Sequence, residues 1–210
     1  MDGLGVMHAA SFAEDPKHLG FVLARYKFVA KMLAGYRSIL EIGCGDGTGG
    51  RLVKSVVGQL VGIDVSLDDA IHASATFLIV RHDMVNGGPI LLWQEGDPAR
   101  QGFPFDAAYA LDVLEHIAPL DEDAFLSNVV ASIKLGGLFI VGSPSLESQP
   151  YASELSKKHH VNCKDEAGFR RALQRHFKHV FVFGMNDETL HTGFGPMCHY
   201  RLAICTSNSR

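Results

Sequence analysis

Residues 39–50 read ILEIGCGDGTGG, an apolar strand that runs directly into a turn packed with glycine. Glycine has no Cβ, so alternating glycines let the backbone turn sharply and lie directly against a ligand. An acidic residue, Glu41, stands two positions before the first glycine, inside the apolar run. The stretch therefore predicts a β-strand followed by a ligand-binding loop.

Two cofactor-binding patterns fit the same glycines. Residues 45–50 satisfy G-x-G-x-x-G, the dinucleotide pattern, and Asp64 follows where that pattern asks for an acid. Glu41 and the glycines of 43–47 also fit E-x-G-x-G-x-G. In this respect the chain resembles the first motif of class I methyltransferases that use S-adenosylmethionine. The glycines alone leave both cofactors open.

Strands and helices alternate along the chain, which predicts a doubly wound α/β fold. Strands are expected at 38–42, 59–65, 76–82, 105–111 and 138–141, and helices at 16–35, 48–57, 67–75, 121–134 and 165–177. Two more strands, 180–183 and 199–206, are joined by a connection too short for a crossover helix, so they must be antiparallel. We expect one domain over 1–210, with a mostly parallel seven-stranded sheet that ends in an antiparallel C-terminal hairpin. Class I methyltransferases have this Rossmann-like fold, whereas the NAD fold has six parallel strands.

The composition bounds the cellular setting and the partners. Hydrophobic residues make up 47% of the chain, charged residues 20%, and the net charge is −4, which disfavours nucleic acid as the partner. We find no apolar run of 18 residues and no signal-peptide pattern, so no membrane span or leader is expected. The four cysteines lack C-x-x-C spacing and are expected to be reduced, in a cytoplasmic protein. A small molecule is the expected partner, and a homodimer is left open.

Acidic residues follow each of the first four predicted strands. They are Asp46, Asp64, Asp83 and Asp112. Ligands of open α/β sheets bind outside the carboxyl ends of the strands. Carboxylates accept hydrogen bonds from a ribose diol, an adenine amino group or an α-ammonium group, all present in S-adenosylmethionine, whereas they repel the phosphates of a dinucleotide. The acids therefore favour S-adenosylmethionine as the cofactor.

Residues 105–117, FDAAYALDVLEHI, resemble the fourth motif of the same methyltransferases. The resemblance implies that the glycine loop and residues 111–113 line the methionine end of the cofactor. It also implies that Asp64 holds the ribose hydroxyls and that Asp83 meets the adenine amino group, with Met84 packed on the ring. The implied cofactor-binding set is Glu41, Gly43, Cys44, Gly45, Asp64, Val65, Asp83, Met84, Leu111, Asp112 and Val113.

Histidines supply the candidate bases. If a helical turn begins at Asp112, Glu115 and His116 fall on the same face, where they could orient the cofactor, supply His116 as a base or bind a divalent metal. The metal option resembles the small-RNA 2′-O-methyltransferases, which use a D/E-x-x-E-H set with a further histidine. Orientation of the cofactor is favoured, and no metal is expected. His159 and His160, in the loop after the fifth strand, are the other candidate catalytic residues.

Substrate recognition is expected in the least regular segments, 143–162 and 186–196. The helix at 16–35 is interpreted as a lid, with Arg25 or Tyr26 facing the carboxylate of the cofactor. The sequence thus predicts an S-adenosylmethionine-dependent methyltransferase that acts on an oxygen or nitrogen of a small polar metabolite, such as a saccharide, and releases S-adenosylhomocysteine. The alternatives are a metal-assisted RNA 2′-O-methyltransferase, an NAD-dependent oxidoreductase and a non-catalytic cofactor-binding module.

Overall fold

The strands of the computed structural model, which describes residues 9, 12–66, 76–89 and 103–208, form one mixed sheet. In chain order they are β1 (Ser38–Ile42), β2 (Gln59–Asp64), β3 (Leu78–Arg81), β4 (Phe105–Leu111), β5 (Ile133–Pro144), β6 (Phe177–Asn186), β7 (Thr189–His191) and β8 (Tyr200–Asn208). Their order across the sheet is β3-β2-β1-β4-β5-β8-β6-β7.

The first five strands run parallel, and antiparallel pairs close the sheet. β1 lies between β2 and β4, with β3 and β5 outside them. β8 runs antiparallel between β5 and β6, so the predicted C-terminal hairpin is confirmed. The described residues form eight strands instead of the predicted seven, because residues 189–191 turn back and pair with the outer edge of β6.

Helices cover both faces of the sheet. They are α1 (Pro16–Leu33), α2 (Gly50–Lys54), α3 (Glu122–Ser132), α4 (Glu154–His159) and α5 (Glu166–Gln174). The helices predicted at 16–35, 48–57, 121–134 and 165–177 are therefore present with shorter ends, and the helix predicted at 67–75 lies outside the described residues. None of the described helices is long and apolar enough to span a membrane.

The side chains of β4 show how the sheet separates two cores. Ala108 and Ala110 pack into a core with residues of α3 and α5, whereas Tyr109 and Leu111 pack into a second core with residues of α1 and α2. Successive side chains of a strand point to opposite faces, so the apolar run of β4 has to be buried on both sides. Its carboxyl end, and those of β1 and β2, are thereby held at one edge of the sheet.

The segment after β5 is more regular than expected. Residues 143–162 were expected to form a polar loop, but they contain a 3-10 helix over Leu146–Tyr151 followed by α4. Ser145 caps the first element by accepting from the Ser148 N–H, and Ser153 caps α4 by accepting from the Ser156 N–H. Serine is a preferred residue at such positions because its hydroxyl satisfies an unpaired N–H of the first turn.

Candidate active site

The loop after β1 relies on glycines in the left-handed region. Gly43, Gly45 and Gly47 have φ values of 73°, 51° and 74°. A Cβ on Gly43 would collide with the side chain of Val113. The Gly43 N–H donates to the Ile63 carbonyl at 2.8 Å, which ties the loop to the end of β2. The sequence thus needs glycine at 43 both for backbone conformation and for space.

A cleft of about 650 Å³ opens at the carboxyl edge of β1, β2 and β4, a volume typical of small-molecule sites. Its walls are the glycine loop, the end of β2, the turn after β3 and the turn after β4. The predicted cofactor residues that line it are Gly43, Gly45, Asp64, Val65, Asp83, Met84, Asp112 and Val113. The structure therefore brings most of the predicted cofactor set to one place.

Asp64 is held at the wall of this cleft by two backbone groups. Its Oδ2 accepts from the Gly45 N–H at 2.8 Å, and its Oδ1 accepts from the Ser66 N–H at 3.0 Å. Each carboxylate oxygen has two lone pairs, so both oxygens keep the capacity to accept a further hydrogen bond. The half-buried carboxylate is therefore oriented and remains available to a diol.

Asp83 organises the turn after β3. Its Oδ1 accepts from the Val85 N–H at 2.9 Å, and its Oδ2 accepts from Nδ2 of Asn86 at 2.8 Å. Nδ2 of Asn128, on α3, donates to the Met84 carbonyl at 2.7 Å and fixes the turn from behind. The Met84 side chain is buried in the cleft wall, where it offers apolar surface to a planar ring.

Glu41 lies beneath the glycine loop and does not line the cleft. A Cβ on Gly50 would collide with its carboxylate, so α2 starts with glycine where it crosses β1. Burial raises the pKa of Glu41 to about 8, and the hydroxyls of Tyr109 and Tyr26 act in the opposite direction. Among the described residues neither carboxylate oxygen has a hydrogen-bond partner of good geometry. Its predicted contact with the cofactor stays a prediction; the structure places it as a support of the loop.

A second cavity of about 330 Å³ adjoins the cleft. The two cavities share Gly43, Gly45, Asp112 and His116 in their walls. The other lining residues of the second cavity are His18, Val22, Arg25, Tyr26, Cys44, Leu111, Glu115, Pro144, Ser156 and His160. The remaining predicted cofactor residues Cys44 and Leu111 therefore face this cavity, as do four residues of the helix predicted to be a lid.

An ion pair stands where the two cavities meet. Nη1 of Arg25 donates to Oδ1 and Oδ2 of Asp112 at 2.9 and 2.7 Å. The guanidinium also lies 3.8 Å above the ring centroid of Tyr200, a cation–π geometry. Burial alone would lower the pKa of Arg25, but the charge of Asp112 raises it above its ordinary value. Asp112 itself has a φ of 56°, uncommon for a residue with a side chain.

Tyr200 was missed by sequence reasoning. It arrives from β8, and its hydroxyl accepts from the Asp112 N–H at 3.3 Å. No spacing along the chain links position 200 to 25 or 112, so the only available signal was the predicted hairpin that brings β8 next to β5. Its position could be found only from the strand register, which pairs Tyr200 with Pro144.

Glu115, His116 and His160 meet at the wall of the second cavity. The two imidazole rings lie edge to face at an interplanar angle of 71°, with centroids 5.1 Å apart. A carboxylate oxygen of Glu115 and one nitrogen of each ring lie within 4.8 Å of one another. Although no metal was expected from the sequence, a carboxylate and two imidazoles at this spacing are a suitable partial ligand set for a divalent cation.

Burial sets the protonation of this cluster. Burial and the neighbouring charge of Asp112 raise the pKa of Glu115 well above its ordinary value. Burial, followed by the neighbouring His116, lowers the pKa of His160. Burial therefore favours the protonated form of Glu115 and the neutral form of the His160 imidazole.

Neither His159 nor any residue of the loop 186–196 lines the second cavity. The side chain of His159 is exposed and lines neither cavity, and its carbonyl lies 3.1 Å from Nδ1 of His116. Thr192, Gly193 and Gly195 of the loop line a separate cavity of about 200 Å³. The predicted catalytic role of His159 and the predicted substrate role of 186–196 stay predictions, and their placement favours His116, His160 and the segment 143–162.

Known proteins share the motif region of this chain. A family model described as a methyltransferase domain matches residues 40–139. A protein of Mycolicibacterium smegmatis, named a probable S-adenosylmethionine-dependent methyltransferase, is 28% identical over 125 residues. This match covers 57% of the present chain and 42% of that relative, so the chain spans less than half of the relative's length.

Solved structures share the fold. The methyltransferase domain of bacterial CtHen1-C superposes with a TM-score of 0.63 at 18% identity, over 90% of this chain and 100% of that one. NodS from Bradyrhizobium japonicum WM9, an N-methyltransferase solved with S-adenosylhomocysteine, superposes with a TM-score of 0.59 at 14% identity, over 89% of this chain and 86% of NodS. The methyltransferase model matches 100 of the 210 residues, and together with the fold and the motifs it supports a class I S-adenosylmethionine-dependent methyltransferase. The name of the Mycolicibacterium relative contains S-adenosylmethionine, and the NodS structure holds S-adenosylhomocysteine.

Proposed function

We propose that the protein transfers a methyl group to an oxygen or nitrogen atom of a small polar molecule, such as a saccharide, bound in the second cavity. The observation that carries this proposal is the junction of the two cavities. They meet across Gly43, Gly45, Asp112 and His116, and beyond this junction the wall of the second cavity holds the imidazole of His160 next to that of His116. A donor site that opens directly onto a cavity with proton acceptors suits transfer to a protonated heteroatom.

The larger cleft has the groups needed to hold the cofactor. Asp64 would accept from the ribose hydroxyls, Asp83 from the adenine amino group, and Met84 would contact the ring. The glycine loop would lie beneath the methionine end, which is then directed toward Asp112 and the second cavity. When bound, S-adenosylmethionine supplies an electrophilic methyl group on a sulfonium.

The histidines would take the proton of the acceptor. As the bond from the acceptor atom to the methyl carbon forms, the carbon–sulfur bond breaks and S-adenosylhomocysteine leaves. The proton of an acceptor hydroxyl would pass to a ring nitrogen of His160 or His116. A neutral imidazole can accept a proton near pH 7, and the lowered pKa of His160 keeps it in this form. The remaining task of the site is to align the reactants away from water.

A second candidate is metal-assisted methylation of a ribose hydroxyl, such as the 2′-hydroxyl of RNA. The cluster of Glu115, His116 and His160 favours it, because these residues would hold a divalent cation beside the second cavity. A bound cation lowers the pKa of a coordinated hydroxyl and would replace the histidine base. Glu115 would have to lose its proton when the cation binds.

Both candidates are tested by one assay. Polar metabolites and short RNAs are screened for methyl uptake from labelled S-adenosylmethionine, with and without a chelator. On the acceptor found, His160→Asn and His116→Asn should each lower kcat by about 10²- to 10⁴-fold. The affinity for S-adenosylhomocysteine should stay unchanged in His160→Asn, because His160 lines only the second cavity whereas His116 lines both. Activity that resists the chelator supports the first candidate. Loss with the chelator, restored by a divalent cation, supports the second, and full activity of both variants refutes both.

A further inference from the structure

We propose that Gln149 is a positioning residue that holds the neutral ring of His160 in the tautomer with its proton on Nδ1. The backbone carbonyl of His159 does the same for His116. Both rings then present a bare Nε2 nitrogen. The use of these nitrogens in catalysis rests on the proposed function, whereas the tautomers themselves do not depend on it.

The orientation of the Gln149 amide follows from its other neighbours. Its Nε2 donates to the Ser145 carbonyl at 3.2 Å, and Oγ of Ser148 lies 3.5 Å away. The reverse orientation would place two oxygens, neither of them a donor, against each other at Ser145. Oε1 of Gln149 therefore faces His160, at 2.9 Å from its Nδ1. An amide oxygen only accepts, so Nδ1 must carry the proton, and in a neutral imidazole Nε2 is then bare.

Gln149 sits on a turn that is anchored on both sides. Ser145 is buried, and its Oγ donates to the Cys198 carbonyl at 2.6 Å. Glu147 accepts from Nη2 of Arg201 at 2.7 Å, and Arg201 is 1% exposed. The Leu146 N–H donates to the Lys164 carbonyl at 3.0 Å. A fixed turn lets the amide select one state of the ring instead of following it.

His116 is held in the same way without a side chain. Its Nδ1 lies 3.1 Å from the His159 carbonyl, which can only accept. Nδ1 therefore carries the proton here as well. Outer hydrogen bonds of this kind fix the tautomer and the ring orientation of histidines that act as ligands or bases.

The consequence is that each ring keeps one nitrogen lone pair, on Nε2. The groups that face His160 are Asp112, Glu115 and His116, with His159 next to it in sequence. Because both Nδ1 atoms are engaged, the nitrogens that remain for an acceptor proton or a cation are the two Nε2 atoms. An unconstrained neutral histidine favours the tautomer with the proton on Nε2. The protein therefore has to impose the tautomer with the proton on Nδ1 through these hydrogen bonds.

The tautomer is measured by long-range ¹H–¹⁵N correlation spectroscopy on ¹⁵N-histidine-labelled protein, at a pH where the rings are neutral. His160→Asn assigns the signals. The expected result is a protonated Nδ1 and a bare Nε2 for His160, with a shift toward protonated Nε2 in Gln149→Ala. Gln174→Ala, at an exposed position on α5, is the control and should change nothing. A protonated Nε2 in the natural protein, or an unchanged tautomer in Gln149→Ala, overturns the proposal.

Kinetics then test whether the tautomer of His160 affects the rate of methyl transfer. Gln149→Ala should lower kcat by on the order of tenfold with unchanged affinity for S-adenosylhomocysteine, and Gln174→Ala should leave kcat unchanged. An unchanged kcat in a variant that has lost the tautomer refutes the positioning role. The spectra need neither cofactor nor acceptor, so a failure of the proposed function would appear as absent methyl transfer with the tautomers as expected.

Discussion

The two cavities of the site are built in different ways. The cofactor cleft is formed by a glycine loop and by acids at strand ends, such as Asp64, the last residue of β2, and Asp83, two residues after β3. The second cavity is assembled from α1, the turn after β4 and the segment after β5, which contribute Arg25, His116 and His160. The difference indicates that the residues of the cofactor cleft are set by short local motifs, whereas those of the second cavity, the proposed acceptor site, come together only in the tertiary structure.

The largest expected effect tests the backbone character of the cofactor side. Gly43→Ala combines left-handed strain of about 1–2 kcal/mol with overpacking against Val113 of about 1–3 kcal/mol. The free energy of unfolding should therefore fall by about 2–5 kcal/mol, and binding of S-adenosylhomocysteine should be lost. Chemical denaturation and calorimetry measure the two effects.

Gly136 offers a matched control on β5. Its φ is 74°, nearly that of Gly43, but a Cβ there would meet no atom within 4 Å. Gly136→Ala should cost only the strain, about 1–2 kcal/mol, and leave cofactor binding intact. Equal effects of the two substitutions would show that the close approach at Gly43 is unimportant.

A smaller effect concerns the buried acid beneath the glycine loop. The pKa of Glu41 rises from its ordinary value of 4.5 to about 8 on burial, so the folded state holds a proton that the unfolded state releases. This contribution to stability is complete below pH 4.5 and is lost as the pH rises through about 8. At about 1.4 kcal/mol per unit, it should fall by about 2–3 kcal/mol between pH 6 and pH 9.

Glu41→Gln removes this proton, so the variant should lose less stability than the natural protein over the same pH range. Glu14→Gln, at an exposed position, is the control and should follow the natural protein. Denaturation at both pH values measures the difference. Parallel curves for Glu41→Gln and the natural protein would contradict a protonated Glu41.

Much of the fold was predictable because its signals are local. Strands β1, β2 and β4 are apolar runs ended by glycine or aspartate, and the short connection between β6 and β8 required antiparallel pairing. The added strand β7 was not predictable, since three residues carry too little pattern and pair only because β6 offers a free edge. The capped helices within 143–162 were missed for a similar reason: their serine caps also fit polar turns.

The candidate site was likewise predictable where its signals are local and not where they depend on tertiary contacts. Asp64, Asp83 and the glycines could be placed because the carboxyl ends of parallel strands share one edge. The meeting of His116 with His160 could not be foreseen, since the separation of these residues along the chain has no fixed relation to distance. The raised pKa values of Glu41 and Glu115 depend on burial, which sequence periodicity indicates for strands but not for a turn.

The division between the two cavities is tested most directly by isothermal titration of S-adenosylhomocysteine into Asp64→Ala and His160→Asn, beside the natural protein. Asp64→Ala should weaken binding by between about 10- and 100-fold, since it removes hydrogen bonds from a charged acceptor. His160→Asn should leave the affinity unchanged. Thermal unfolding of both variants shows whether the contact of Asp64 with Gly45 alters the fold. Unchanged affinity in Asp64→Ala, or an equal loss in His160→Asn, would contradict separate cofactor and acceptor sides.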